Sequence, residues 1–120
     1  MKELLTICLM LVAMPLCAAS KKQRALDLAV YAAGQFDGET TIYVLNHCPA
    51  GVRCFEGNPI VAPVAKSPAL LLVMGTSGWA VNRIAQKLRS DGHPKYAKGL
   101  QLFVIGAHVL AGAHNLHAMR

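Results

Sequence analysis

Charged residues are scarce in this chain. Asp, Glu, Lys and Arg make up 15% of its 120 residues, whereas a typical soluble domain contains roughly 25%. Hydrophobic residues make up 54%, which exceeds the roughly 45–50% of soluble domains. This composition argues against a soluble domain and indicates a membrane protein.

The common catalytic and nucleotide-binding motifs are also absent. The sequence contains no Gly-x-Ser-x-Gly, no phosphate-binding loop, no Gly-x-Gly-x-x-Gly and no zinc-protease helix. Without them, the standard hydrolase, nucleotide-binding and dinucleotide-binding classes have no support. We predict no cofactor and no resident metal.

The net charge of +6 comes largely from two basic clusters that flank apolar segments. Basic residues in these places set the orientation of a membrane protein, so they do not predict a nucleic-acid partner. The clusters are Lys21, Lys22 and Arg24, and then Arg83, Lys87, Arg89, Lys95 and Lys98.

Residues 1–20 have the layout of a secretory signal peptide. An apolar stretch follows Lys2, Pro15 interrupts it, and the segment ends on the small residues Ala18, Ala19 and Ser20. Pro15 and the small residues favour cleavage after Ala19 or Ser20. The alternative is an uncleaved membrane anchor, because the basic cluster that follows would hold the downstream side in the cytoplasm.

Cys48 and Cys54 bracket a short hydrophilic loop. An isolated pair of cysteines outside the first apolar run suits a disulfide in an oxidising compartment. The alternative is a thiol metal site, for which His47 would be the only nearby partner. We predict the disulfide.

Residues 25–45 are predicted to form a first helix. At 100° per residue its small and polar residues align along one face, where Gly34 and Gly38 form a groove for close helix packing. Asp37 lies beside this groove, whereas Glu39 points to water. We expect the helix to pack on the membrane domain, because its acids make spanning costly; spanning is the alternative.

The remaining sequence predicts a transmembrane hairpin. A loop over residues 46–66 leads to a helix over 67–88, a basic turn over 87–98 and a returning helix over 99–117. The basic turn is expected in the cytoplasm and the Cys48–Cys54 loop in the periplasm, where a disulfide can form. Small residues offer packing positions on all three helices, namely Gly34, Gly38, Gly75, Gly78, Gly106 and Gly112.

Polar residues near these membrane segments are the candidate functional residues, because burial in lipid requires a partner or a purpose. We expect a structural hydrogen-bond network; a proton relay, a divalent-metal site or haem ligation are alternatives with no specific spacing to support them. The candidate polar cluster is Asp37, Thr40, Thr41, Glu56, Asn58, His108, His114 and Asn115.

Three short motifs resemble those of a family of small, uncharacterised bacterial integral membrane proteins. They are Asp37-x-x-Thr40-Thr41, Glu56-x-Asn58-Pro59, and His108-x-x-x-Gly112-x-His114-Asn115. The resemblance covers most of the chain after residue 25 and implies a compact helical domain in the bacterial inner membrane. It implies no activity, and the loop cysteines are not part of the family pattern.

Together these observations predict an all-α protein, with residues 21–120 forming a single helical membrane domain after the signal peptide. Its expected role is structural or accessory, with the lipid bilayer and another membrane protein, or a second copy, as partners. The alternative is a membrane-embedded enzyme or metal-binding protein that uses the Asp/Glu/His cluster.

Overall fold

The computed structural model describes residues 20–119 and consists of three α-helices. They are α1 (Lys21–Asn46), α2 (Ala69–Ser90) and α3 (Pro94–Ala118). No strand occurs within residues 20–119, so the all-α prediction is confirmed. The predicted signal peptide lies outside the described residues except for Ser20.

Local sequence explains where the helices begin. Ser20 and Gln23 form a capping box, in which the Ser20 Oγ accepts from the Gln23 backbone N–H and the Gln23 side chain accepts from the Ser20 N–H. This arrangement satisfies two donors at the helix start, so α1 begins four residues before the expected position. Similarly, Pro94 occupies the first turn of α3, where its missing N–H costs nothing.

The connection between α2 and α3 is shorter than the predicted basic turn over 87–98. It comprises only residues 91–93, and Gly92 adopts a φ of 84° that favours glycine. Lys87 and Arg89 therefore lie in the last turn of α2, whereas Lys95 and Lys98 belong to the start of α3. A tight turn makes α2 and α3 antiparallel neighbours.

The core of the bundle contains both apolar and polar side chains. Val30, Leu70 and Ala85 are almost fully buried. As whole residues, Gln101 is 0% exposed and Asp37 is 9% exposed. Three further polar residues are buried, namely Thr40, Thr41 and Asn82.

The outer surface, in contrast, is strongly apolar. On α3, Phe103 and Leu110 are 74% and 72% exposed. Large hydrophobic side chains are also exposed on α1 and α2, including Leu28, Tyr43, Leu72, Trp79 and Ile84. The bundle thus buries several polar residues while many large apolar side chains remain exposed.

Within the described part of the chain, only α3 is long and apolar enough to cross a membrane. The prediction that both α2 and α3 span is therefore not supported by their composition. The sequence of α2 begins with an apolar run, but Asn82, Arg83 and Gln86 in its second half lower its hydropathy.

Candidate functional site

The loop between α1 and α2 closes one end of the bundle. Cys48 and Cys54 form a disulfide within it, with their Cα atoms 5.8 Å apart. The Asn46 amide donates to the Lys66 carbonyl over 3.0 Å and joins the two ends of the loop. These links fix both ends of the segment that contains Glu56 and Asn58.

Asp37 and His108 connect α1 and α3 beneath this loop. The His108 Nδ1 lies 2.7 Å from the Asp37 Oδ2. Both side chains are mostly buried, with exposed fractions of 12% for Asp37 and 21% for His108. Burial requires a partner for the carboxylate, and the imidazole supplies it.

A second link between α1 and α3 lies closer to the loop. The Asn115 Nδ2 donates to the hydroxyl oxygens of Thr40 and Thr41, over 3.2 and 2.9 Å. The Thr40 hydroxyl in turn donates to the Asp37 carbonyl over 3.0 Å. The Asp-x-x-Thr-Thr segment therefore presents one continuous polar face to α3.

Glu56 and Asn58 shape the loop that lies over this face. The Glu56 Oε1 accepts from the Asn58 N–H over 2.8 Å, and the Asn58 Oδ1 accepts from the Ile60 N–H over 3.0 Å. These bonds lie within the loop. Within residues 20–119, neither side chain hydrogen-bonds to α1 or α3.

A pocket of about 400 Å³ separates the loop from the three helices. The predicted polar cluster lines it except for Thr40, which lies behind Asn115. His114 is exposed at its edge and makes no hydrogen bond to the described part of the chain. The pocket is lined by Asp37, Thr41, Glu56, Asn58, Val61, Val73, Met74, Ser77, His108, Ala111, His114 and Asn115.

This arrangement can support acid–base and hydrogen-bond chemistry. Among residues 20–119, no group of three His, Cys, Asp or Glu side chains could hold a metal ion. When a neutral His108 donates from Nδ1 to Asp37, its Nε2 becomes an acceptor in the pocket wall.

Sequence reasoning missed a second polar network at the opposite end of the bundle. The Gln101 Nε2 donates to the Asp27 Oδ1 over 2.6 Å and to the Asn82 Oδ1 over 2.9 Å. Arg89 donates to the Gln101 Oε1 over 3.2 Å, and its Nη2 lies 3.7 Å from the Asp27 Oδ1. The sequence contains one sign of this network. At 100° per residue, Asp27 lies on the same face of the first helix as Gly34, which points it toward the other helices.

The glycines named from the sequence pack mainly within the bundle. A Cβ on Gly38 would lie 3.2 Å from the Met74 Cγ of α2, and one on Gly78 would lie 3.1 Å from the Tyr31 ring of α1. A Cβ on Gly112 would overlap the Phe36 ring. Gly34 and Gly75 also face each other's helices, whereas a Cβ on Gly106 would meet no atom within 4 Å.

Comparison of the chain with protein-family models, with curated proteins and with solved structures finds no match. The resemblance to small bacterial membrane proteins stays a prediction.

Proposed function

We propose that the chain is a small helical protein of the bacterial inner membrane with a structural or accessory role. The distribution of polar residues supports this proposal best. Between Gly99 and Ala113 of α3, every exposed residue is apolar or glycine, while Gln101 and His108 point into the bundle. A lipid environment favours this arrangement, because in aqueous solution the apolar side of α3 would be in contact with water.

The same reasoning extends the membrane domain to α2 and α1. Their low hydropathy comes partly from Asn82, Thr40 and Asp37, which are buried between helices. Inward polar residues act as hydrogen-bonding links between membrane helices and do not contact lipid. In this proposal the α2–α3 hairpin spans the bilayer, and α1 completes the bundle.

Charge distribution suggests the orientation. The ends of the helices that contain Lys21, Arg89 and Lys95 lie together, whereas the disulfide loop occupies the other end. The positive-inside rule places the basic end in the cytoplasm and the loop in the periplasm. Ser20 would then lie on the cytoplasmic side, which favours the uncleaved anchor over a cleaved signal.

The accessory role would use the outer surface of α3. Most of the predicted packing glycines already contact neighbouring helices within the bundle, so they are not available to a partner. Gly106 has open space beside it and lies among the exposed side chains of α3. This surface is therefore the one that would receive a helix of another membrane protein or of a second copy.

Thiol accessibility and membrane extraction test the proposal. We expect the protein to remain in membranes at alkaline pH and to be released by detergent. In intact cells, a membrane-impermeant maleimide should label Cys48 and Cys54 only after reduction. A Cys48→Ser/Cys54→Ser variant measures labelling of the other thiols. Release at alkaline pH, or loop labelling that requires permeabilised cells, would contradict the proposal.

A second candidate is a membrane-embedded enzyme, favoured by the Asp37–His108 pair in a pocket. Purification distinguishes the two. Stable co-purification with a larger membrane protein, unaffected by Asp37→Asn but lost with Gly106→Leu, supports the accessory role. Isolation without a partner, together with a cellular phenotype of Asp37→Asn at an unchanged protein level, supports the enzyme.

A further inference from the structure

We propose that the pocket between the loop and the helices binds a small organic cation, with an ammonium or guanidinium head and a short apolar stem. The inference goes beyond the accessory role proposed above. It follows from which hydrogen-bonding groups of the pocket are already engaged and which remain.

Within residues 20–119, two groups of the helical wall keep an unused hydrogen-bond acceptor, while the Asn58 amide nitrogen and the Ser77 hydroxyl of the pocket can still donate. Asn115 uses its amide nitrogen for Thr40 and Thr41, so its carbonyl oxygen remains. A neutral His108 uses Nδ1–H for Asp37, so its Nε2 remains as an acceptor. Ammonium and guanidinium groups are pure donors and complement such a set.

The charges of the pocket also favour a cation. Its described lining includes the carboxylates of Asp37 and Glu56 but no Lys or Arg. One Glu56 oxygen accepts from the Asn58 N–H, and the other accepts no hydrogen bond from residues 20–119. In a chain with a net charge of +6, the lining of this pocket is a local site of negative charge.

The remaining wall is apolar. Val61 of the loop and Val73 and Met74 of α2 line the pocket together with Ala111 of α3. These side chains form no hydrogen bonds with a ligand but can bury a short hydrocarbon stem. The volume of about 400 Å³ falls within the roughly 300–1,000 Å³ of small-molecule pockets.

Binding can be measured on the purified full chain in a zwitterionic detergent. Butylammonium and butylguanidinium are titrated while amide chemical shifts are followed by NMR. Butanol and butanoate have the same stem and serve as the neutral and anionic controls. We expect saturable shifts around the pocket for both cations and at least about fivefold weaker binding of the controls, because charge-assisted hydrogen bonds are stronger than neutral ones.

Glu56→Gln is the decisive variant. It removes the charge while the amide oxygen can still accept from the Asn58 N–H, so the loop should keep its fold. We expect the Kd of butylammonium to rise about tenfold. Glu39→Gln removes an exposed carboxylate of α1 outside the pocket and should change the Kd by less than about twofold.

Ser77→Lys provides a second test in the helical wall, because an ammonium group placed at the pocket should abolish binding of the cations. Equal affinity for butanol and butylammonium, preferential binding of butanoate, or equal effects of Glu56→Gln and Glu39→Gln would overturn the proposal. Membrane extraction is measured separately, so a failure of cation binding is distinguishable from a failure of the accessory role.

Discussion

At the scale of single residues, the buried polar side chains of this protein depend on specific partners. Asp37 is paired with His108, and within residues 20–119 no buried side-chain nitrogen or oxygen lacks a hydrogen-bond partner. An unpaired polar group in the same place would retain its desolvation cost without compensation. Removing one partner of such a pair should therefore lower the free energy of unfolding by more than removing an exposed polar side chain.

The two histidines of the pocket should consequently differ in their contributions to stability. His108→Ala leaves the Asp37 carboxylate without its partner and should lower the free energy of unfolding by about 1–3 kcal/mol. His114→Ala removes an exposed imidazole without a hydrogen bond and should change it by less than about 0.5 kcal/mol. Equilibrium unfolding in mixed micelles measures both. Equal losses would contradict the Asp37–His108 pairing.

Two glycines of α3 should respond in opposite ways to an added methyl group. Gly112→Ala introduces a methyl that overlaps Phe36, so it should destabilise the bundle by about 1–3 kcal/mol. Gly106→Ala places the methyl in open space and should stabilise the helix by about 0.5–1 kcal/mol. Thermal unfolding of the two variants tests the orientation of α3. Destabilisation by both, in the absence of a partner, would count against it.

At the scale of the elements, two polar layers determine how the helices align. Asp37 and Asn115 define the layer near the loop, and Gln101 lies at the centre of the layer near the α2–α3 turn. Gln101 connects all three helices, because it bonds to Asp27 of α1 and to Asn82 and Arg89 of α2. Between the layers, close glycine contacts bring α1 against α2.

Gln101→Leu should loosen the end of the bundle near the turn. The substitution preserves much of the side-chain size but removes the amide that donates to both Asp27 and Asn82 and accepts from Arg89, which should lower the free energy of unfolding by about 1–3 kcal/mol. Hydrogen exchange should accelerate in the first half of α3 more than in its second half. Gln86→Leu is the control, because Gln86 is exposed and, among residues 20–119, its side chain bonds only to Arg83, over 3.2 Å. Uniform acceleration along α3 would contradict a layered core.

At the scale of the whole molecule, the exposed apolar side chains and the separation of charge support the proposed membrane location. The basic residues of the helices concentrate at one end, and the disulfide loop lies at the other. The mean hydropathy of a helix counts the side chains that face the bundle and those that face outward equally. The buried polar residues of α1 and α2 therefore lower it without being exposed on the outer surface. The exterior of α2 can be tested separately from that of α3.

Trp79, the only tryptophan of the chain, reports on α2. Trp79 is 55% exposed, and the Asn82–Gln101 hydrogen bond places it at about the height of Phe103 on the antiparallel α3. In liposomes we therefore expect quenching of Trp79 by lipids brominated on their acyl chains and weak quenching by aqueous iodide. A Trp79→Phe/Phe103→Trp variant moves the reporter to α3 and should be quenched by lipids brominated at the same depth. Strong iodide quenching of Trp79, together with lipid quenching of the reporter on α3, would show that α3 alone enters the membrane.

Several features of the site were predictable from local pattern. Helical periodicity identified the inward face of α1, where Gly34, Gly38 and Thr41 are buried. The candidate residues of the loop and of α3 were identified by their polarity in an apolar context. The disulfide was predicted from the isolation of Cys48 and Cys54. Helix boundaries were less predictable, because capping at Ser20 and a proline start at Pro94 lengthened two helices.

The sequence by itself determined the three helices, the apolar exterior and the inward direction of Asp37, because these depend on residues within a few turns of each other. Only the tertiary structure decided that Asp37 bonds to His108, 71 residues away, while His114 stays exposed. It also decided that Gln101 joins three helices. Such pairings depend on the relative height and rotation of packed helices, which the periodicity of any one helix leaves open.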